Sequence, residues 1–235
     1  VIAGLLPALG VSRFNPIQVL KDVSRLNVIS RVSLRKILIV FQFTLSLVLI
    51  ILVTIVYRQT GFALNIDYGF AWENTVRIPL QGNSAEIVAQ ELSKHAGVTD
   101  HTLMSHSMGT WEDSSVDVRV EREKEPSAVR DYSVDANFID FFELTILAGE
   151  NFQANAATHN SSRVLVNEAF LERFQLGSAH DAIGKPVWIG DSTEVRIAGV
   201  VENFLYKPIV YDLEPVLFRF APENWQRIYL SVEAD

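Results

Sequence analysis

The sequence predicts a membrane helix followed by an α+β extracytoplasmic domain of two lobes, a strand-helix-strand lobe and an inserted mostly-β lobe. An uncharged, largely apolar run of 20 residues, Ile37–Val56, is long enough to cross a bilayer. Residues 1–36 carry a net charge of +5, whereas residues 58–235 carry −13. Beyond residue 73, short strand patterns alternate with helix-start signals, which is typical of an α+β domain.

The composition excludes several kinds of protein and site. Of the 235 residues, 49% are hydrophobic and 20% are charged, which excludes wholesale disorder. The chain has no cysteine, so a disulfide framework, a thiolate zinc site and a cysteine nucleophile are excluded. The acidic excess after the apolar run argues against nucleic acid as a partner, because nucleic acid requires a basic face.

The predicted transmembrane helix covers residues 37–57. In Ile37–Val56, 16 residues are apolar and none is ionisable, and at ~1.5 Å per residue the run spans roughly 30 Å. A buried core helix is the alternative, but the basic flank Arg31–Lys36 favours a membrane span. By the positive-inside rule that flank is cytoplasmic, so residues 58–235 are expected outside the cytoplasm.

One face of this helix is polar. Gln42 and Ser46 are four residues apart and therefore share a face. An unpaired side-chain amide is costly in lipid, so we expect this face to contact another helix rather than to line a transport path.

Two segments precede the predicted span. Residues 1–10, VIAGLLPALG, are too short to cross a bilayer and are interpreted as the end of a preceding membrane helix. In residues 11–36, Asn15 before Pro16 is a helix-start signal, followed by apolar residues at helical spacing. This pattern predicts either an amphipathic helix on the cytoplasmic membrane surface or a plain basic connector.

The first part of the outer domain is predicted as a strand, a helix and a strand. Residues 74–80 have a strand pattern. Asn83 with Glu86 three residues later predicts a capping box and a helix through Leu92. Residues 98–107 resume an extended pattern.

The rest of the outer domain is predicted from alternation, caps and turn signals. Val116, Val118 and Val120 alternate with polar residues and define the buried face of one strand. The last strand has no visible partner in the sequence. The predicted elements are strands at 114–125 and 129–135, a helical turn at 137–142, a strand feeding a helix at 161–177 with its cap near Asn167, a hairpin at 185–190 and 194–204, and strands at 214–220 and 227–233.

The order of these segments resembles the MacB/FtsX-type ABC transporter permeases in their duplicated form. The likeness covers nearly the whole chain, and it depends on the order and spacing of segments that are each modestly specific. The segments are LLPALGVSRFNPIQVLKD (5–22), RKILIVFQFTLSLVLI (35–50), DANFIDFFELTILAGENF (135–152), VLVNEAFLERFQLG (164–177), AIGKPV (182–187) and IAGVVENFLYKPI (197–209).

The resemblance implies a domain plan. Residues 1–10 would end a preceding membrane helix, and residues 11–36 would be a cytoplasmic basic connector. Residues 37–57 would begin the second permease half. Residues 58–235 would be a MacB-like periplasmic core domain, with an inserted lobe at about 108–212 and the last strands in the lobe nearer the helix.

The resemblance also implies a location and partners. The protein would lie in the bacterial inner membrane, with the N-terminal side of helix 37–57 cytoplasmic and residues 58–235 periplasmic. Its partners would be an ABC ATP-binding subunit, other membrane helices of the same or a second permease half, membrane lipid, and a periplasmic partner or client. The chain contains no Walker-type GxxxxGK[ST] motif of its own.

No catalytic, cofactor-binding or metal site is predicted. His95, His101 and His106 lie close in sequence, but on a strand the last two would face opposite sides, and no cysteine or paired carboxylate completes a ligand set. Ser105 and Ser107 flank His106 without the context of a nucleophile elbow, and we expect them to be surface residues.

Two further clusters have simple structural interpretations. The mixed-charge run Glu121–Glu125 is expected to be a solvated strand end and turn. Phe138, Phe141 and Phe142 could form a ligand patch, but packing in the core is favoured.

The resemblance to these permeases implies a non-enzymatic transport subunit, which is the first functional hypothesis. ATP hydrolysis in the cytoplasm would move the membrane helices, and helix 37–57 would transmit the motion to the outer domain. This requires a stiff connection, which the scarcity of glycine between Val56 and Asn74 permits. The alternative is a membrane-tethered extracytoplasmic sensor or receptor domain. A membrane-bound hydrolase has no supporting constellation.

Overall fold

A computed structural model describes residues 28–64, 66–123 and 125–233 of the chain. Its first element is a helix, α1, that covers Val28–Leu64 without interruption, since no proline occurs in this range. The predicted span 37–57 is thus the middle of a longer helix. The apolar part that could cross a membrane is Leu34–Ala63, and none of it is buried within this chain. The helix end expected at 1–10 and residues 11–27 of the connector expected at 11–36 lie outside the described residues, and residues 28–36 of that connector are part of α1.

The α+β domain begins at Ile66 and forms a unit separate from α1. Its elements, in chain order, are β1 (Thr75–Pro79), α2 (Ala85–Leu92), β2 (Val98–Met104), β3 (Ser114–Arg119), β4 (Ser127–Ser133), α3 (Phe138–Phe141), β5 (Ile146–Gly149), α4 (Ala157–Asn160), β6 (Arg163–Asn167), α5 (Glu168–Phe174), α6 (Ala179–Ala182), β7 (Pro186–Ile189), β8 (Thr193–Val201), β9 (Val216–Arg219), a 3₁₀ turn (Pro222–Asn224) and β10 (Arg227–Val232).

Among the described residues the strands form two sheets. The smaller sheet has three antiparallel strands in the order β1-β10-β2, with α2 packed on one face. Ile228 and Leu230 of β10 face α2, where they join Leu80, Ala89 and Leu103 in a buried cluster. This strand–helix–strand arrangement is as predicted. The expectation that the last strand lacks a partner is wrong, because β10 is central and pairs on both sides.

The larger sheet has seven strands in the order β5-β8-β6-β9-β4-β3-β7, and β7 also pairs with β8. The sheet therefore closes on itself. The predicted hairpin of β7 and β8 is confirmed, with Ile189 opposite Thr193. Two pairings, β4 with β9 and β6 with β8, are parallel. They join strands that are distant in sequence, so no local pattern could have predicted them.

The inner strands of the larger sheet are buried on both faces. Val164 and Val166 of β6 face one apolar cluster, and Leu165 between them faces another. In β9, Leu217 belongs to the first cluster and Phe218 to the second. Strands covered on both sides have continuous apolar sequences, as seen in VLV and VLF. By contrast, β3 alternates as predicted, with Val118 fully buried.

Three details differ from the sequence predictions. The capping box at Asn83 is wrong, because Ser84 is the N-cap of α2 and the Asn83 amide donates to the carbonyl oxygen of Leu80 at 2.8 Å. Strand β9 belongs to the larger sheet rather than to the lobe of the first strands. The short elements β5, α4 and α6 were not predicted.

Replacement of Gly149 by alanine tests the close packing of β5 on β8. Gly149 has φ +82°, and a Cβ there would lie 2.1 Å from the carbonyl oxygen of Ala198. We expect Gly149→Ala to lower the free energy of unfolding by at least about 3 kcal/mol, from left-handed strain plus a backbone clash. Gly82, with φ +83° and nothing within 4 Å, is the matched control. Gly82→Ala should cost only about 1 kcal/mol.

Urea unfolding of the detergent-solubilised protein, followed by circular dichroism, measures both variants. Equal losses in the two would contradict the packing of β5 against β8.

Candidate functional site

The segment that follows α1 is attached to the core of the domain. We call residues 66–74 the post-helix segment. The Ala71 amide donates to the carbonyl oxygen of Phe142 at 2.9 Å, and the Leu205 amide donates to the carbonyl oxygen of Tyr68 at 2.8 Å. Gly69, with φ +76°, lies so close to Phe204 that a Cβ would be 3.1 Å from the Phe204 Cβ. The segment is therefore held at three successive places.

Aromatic contacts strengthen this attachment. The Phe70 ring meets the Phe142 ring edge-on at a centroid distance of 5.5 Å and the Phe204 ring at 6.1 Å. Phe142 also contacts Tyr229 of β10 at 5.4 Å and Phe138 at 5.4 Å. Edge-to-face pairs at these distances add to the burial of apolar surface. Phe142 thus joins the post-helix segment, the smaller sheet and the core under the larger sheet.

A groove of about 390 Å³ opens beside the post-helix segment. We call it the aromatic groove. Most of its wall is aromatic or apolar, and Arg77 of β1 is the charged residue among the described residues that line it. Trp72 remains 60% exposed there. The lining residues are Tyr68, Phe70, Trp72, Thr75, Arg77, Met108, Gly109, Phe142 and Tyr229.

Two of the lining residues belong to a loop between β2 and β3. The Met108 amide donates to the Tyr229 hydroxyl at 3.0 Å. The Gly109 amide donates to the carbonyl oxygen of Tyr206 at 2.8 Å. The loop is thus bonded both to β10 and to the chain after β8, and this fixes one wall of the groove.

Four charged side chains hold the same loop at its far end. We call Asp113, Arg130, Lys207 and Glu214 the charge cluster. Arg130 donates to both carboxylate oxygens of Glu214, at 2.8 and 2.9 Å, and approaches Asp113 at 3.2 Å. Lys207 contacts Asp113 and lies 2.8 Å from Glu214. Each of the four side chains contacts two side chains of opposite charge, and these contacts offset the cost of partial burial.

The charge cluster lowers the pKa of one of its carboxyl groups. Hydrogen bonds from Arg130, and then from Lys207, lower the pKa of Glu214 to about 2, although partial burial acts in the opposite direction. Burial raises the pKa of Tyr206, whose hydroxyl donates to the carbonyl oxygen of Glu214 at 3.3 Å. Glu214 is therefore ionised at neutral pH.

A second polar region joins the two sheets near Asp135. The Thr102 hydroxyl of β2 donates to Asp135 at 2.6 Å, and the Asp135 amide donates to the carbonyl oxygen of Leu103 at 3.1 Å. Burial raises the pKa of this carboxyl group to about 6, and hydrogen bonds from Thr102 and the backbone only partly oppose the shift. Next to it, an isolated bridge pairs Met104 with Val134.

The histidines singled out in the sequence are not brought together as a ligand set. His101 lies on β2, with Nδ1 3.3 Å from the Ser93 hydroxyl. Strand β2 ends at Met104, so His106 lies beyond it, and the argument from opposite faces of one strand does not apply. Burial lowers the pKa of His106, with a further contribution from Arg227. In the described part of the chain, no group of three or more His, Asp or Glu residues is arranged to hold a metal.

The two serines beside His106 are buried, so the expectation that they are surface residues is wrong. Ser105 is 3% exposed, and its hydroxyl accepts from the Ser133 amide at 3.0 Å. Ser107 is fully buried, and its hydroxyl donates to Glu112 at 2.7 Å. The Ser105 side chain thus connects two separate chain segments, whereas the Ser107 side chain bonds within the β2–β3 loop.

The aromatic and charged runs are placed as predicted. Phe138 and Phe142 are fully buried in the core, with Phe141 packed against it. In the run Glu121–Glu125, the described residues are exposed and follow the end of β3.

The aromatic groove was missed at the level of sequence. Tyr68, Phe70 and Trp72 alternate directly after the apolar helix, and this spacing of two was the available signal. Nothing in the sequence connects them to Met108 or Tyr229, which come from distant segments. The charge cluster has no sequence signature either, because its four members are spread over a hundred residues.

The family model of the MacB-like periplasmic core domain matches residues 44–233. The fold is similar to the periplasmic region of MacB from Actinobacillus actinomycetemcomitans, at 16% identity and TM-score 0.51, covering 74% of this chain and 80% of that one. It is also similar to the extracellular domain of the noncanonic ABC-type transporter YknZ from Gram-positive bacteria, at 17% identity and TM-score 0.50, covering 68% and 84%. No curated protein gave a significant match.

Replacement of Asp135 by asparagine tests the polar region between the sheets. The pKa of Asp135 is about 6 in the folded state and near 4 when unfolded, so the stability that it contributes is present below pH 4 and is lost as pH rises through 6. We expect Asp135→Asn to remove this dependence of the free energy of unfolding on pH. At pH 7 the variant should be more stable by up to about 2 kcal/mol, because it avoids a buried charge while its amide oxygen still accepts from Thr102.

Urea unfolding between pH 4 and 7 measures this dependence, and Asp140→Asn at an exposed position of α3 controls for the loss of one charge. An unchanged pH dependence of stability in Asp135→Asn would contradict the raised pKa of Asp135.

Proposed function

Because this chain belongs to the MacB-like periplasmic core domain family, we propose that it is a transmembrane permease subunit of an ABC transporter. ATP hydrolysis by an ATP-binding partner moves the membrane helices, and the extracytoplasmic domain performs mechanical work on a client. The client is a peptide, a lipoprotein or another amphipathic molecule that is exported or extracted. In this proposal the subunit itself is not an enzyme, and the chemistry is done by its partner.

The attachment of the post-helix segment is the observation that carries this proposal. The family match begins inside α1 and runs to the end of β10, so the family model includes part of the helix together with the domain. Tyr68 and Ala71 bond to two different parts of the domain, and Phe70 packs between them. A displacement of the chain at residue 66 would be passed directly to the core. Packed interiors transmit such displacements because they resist deformation.

The proposal includes the domain plan and the location. Residues 1–10 end a preceding membrane helix, residues 11–36 form a basic cytoplasmic connector, and the domain lies in the periplasm of a bacterium with the permease in the inner membrane. The basic residues of Arg31–Lys36, near the start of α1, support this orientation. The exposed apolar surface of α1 supports a membrane span. Gln42 and Ser46 are exposed on α1, as a face that contacts another permease helix would be.

Topology reporters test the orientation. In the full-length protein, we expect a reporter that is active only in the periplasm to be inactive when fused before Ile37 and active when fused after Asn74. The reason is that the basic residues of Arg31–Lys36 keep the N-terminal side of the span in the cytoplasm. The complementary cytoplasmic reporter should give the reverse pattern. A periplasmic signal from the first fusion would rule out the proposed orientation.

A variant of the post-helix segment tests the coupling. Gly69→Val should force the segment away from Phe204, because Gly69 has φ +76° and even a Cβ there would lie 3.1 Å from the Phe204 Cβ. We expect ATP hydrolysis by the co-purified partner to continue while transport of the client falls at least tenfold. Gly82→Val, with a similar φ and open space around it, should leave transport within about twofold of the native protein.

Co-purification of the full-length protein from its native membrane decides between transport and sensing. An associated ATPase whose activity depends on this chain supports the transport function. A phosphotransfer partner in its place, with no ATPase, would instead establish the sensor or receptor function.

A further inference from the structure

We propose that the aromatic groove binds a single-chain anionic amphiphile, with the hydrocarbon chain against the aromatic wall and the head group at Arg77. The inference rests on the proposed transport of an amphipathic client, and it names the part of the domain that recognises that client.

The wall of the groove suits a hydrocarbon chain. Tyr68, Phe70 and Trp72 of the post-helix segment line it, and Met108 and Tyr229 are also in the lining. The volume of about 390 Å³ is at the small end of the range for ligand sites in proteins, which matches one chain better than a folded polypeptide. Methionine and aromatic side chains adapt to flexible apolar ligands without requiring a defined hydrogen-bond pattern.

The charge of the groove selects an anionic head group. Arg77 is directly opposite Tyr229 in the pairing of β1 with β10, so its side chain starts beside the aromatic wall. It is exposed, and its guanidinium group can bind a carboxylate or a phosphate through two parallel hydrogen bonds. Thr75, two residues earlier on the same face of β1, adds a hydroxyl group.

The carboxylate of Glu112 lies near Arg77 but leaves its guanidinium group available to a ligand. Glu112 is already bonded to the Ser107 hydroxyl at 2.7 Å and to Arg227 at 2.8 Å. The Ser107 hydrogen bond, followed by the charge of Arg227, lowers the pKa of Glu112. Both partners contact Oε2 of Glu112. Arg77 acts on this carboxylate through its charge, without a hydrogen bond between them in the described part of the chain, so its guanidinium group keeps hydrogen-bonding capacity for a head group.

The other exposed aromatic surface of the domain lacks this complementarity. Trp111 and Tyr211 meet edge-on at 5.1 Å, and both are exposed. Asp113 and Asp212 flank them in sequence, and the nearby Lys207 is already paired with Asp113 and Glu214. An anionic amphiphile is therefore expected in the aromatic groove and not at this second surface, which makes Trp111 a matched control for Trp72.

Quenching of tryptophan fluorescence by 11-bromoundecanoate tests the proposal. The full-length protein in amphipol is titrated below the micelle concentration of the probe, because bromine quenches only tryptophans that it contacts closely. We expect saturable quenching that is lost in Trp72→Phe and kept in Trp111→Phe. Arg77→Gln should raise the dissociation constant at least tenfold, whereas Arg196→Gln, at an exposed position of β8, should leave it within twofold.

The neutral probe 11-bromoundecanol separates the head group from the chain. It should bind at least tenfold more weakly than the carboxylate, and Arg77→Gln should not change its affinity. Equal quenching of the native protein and Trp72→Phe would place binding elsewhere and overturn the proposal. The absence of saturable quenching, as expected if a polypeptide segment fills the groove, would overturn it too.

The binding experiment uses neither ATP nor the ATPase, so its result is independent of the transport function. Saturable binding at Trp72 without an associated ATPase would retain the amphiphile site and refute the ABC permease. An associated ATPase without saturable binding would support the ABC permease and refute the amphiphile site. Unchanged thermal unfolding of Arg77→Gln would show that a loss of affinity is not a loss of fold.

Discussion

The packing of Phe142 is the interaction on which the rest of the domain depends. Its ring is 1% exposed and contacts Phe70 of the post-helix segment, Tyr229 of the smaller sheet and Phe138, which packs in turn on Phe218 of the larger sheet. Its carbonyl oxygen also accepts the hydrogen bond from Ala71. Three parts of the chain are therefore joined at one buried residue, where removal of the ring would cost about 3–5 kcal/mol in a typical core.

The groove exists because two different kinds of interaction hold its walls. The post-helix segment is held by aromatic packing and backbone hydrogen bonds, which are insensitive to salt. The loop with Met108 and Gly109 is held at its far end by the charge cluster, through Asp113. Charges that are partly buried and paired on two sides keep a loop in one conformation better than a single exposed ion pair does. The result is an apolar surface that is accessible yet fixed in shape.

Much of the fold could be predicted from residue patterns. The α1 span, the β7–β8 hairpin and the cap of α5 at Asn167 are local features, and each has a local physical cause. The Asn167 side chain accepts from the Phe170 amide at 3.1 Å, as an N-cap residue should. Most strands could be predicted as strands, but apart from the β7–β8 hairpin their partners could not. Thus β10 was expected to be unpaired and is the central strand of its sheet.

The sequence by itself determined the apolar helix, the charge difference on its two sides, the α+β character of the domain and the core position of Phe138 and Phe142. These properties follow from hydrophobicity and periodicity, which act along the chain. Only the tertiary structure decided the closure of the larger sheet, the burial of Ser105 and Ser107, and the assembly of the aromatic groove and charge cluster. Those features depend on contacts between residues far apart in sequence, and their geometry exists only once the two sheets have packed together.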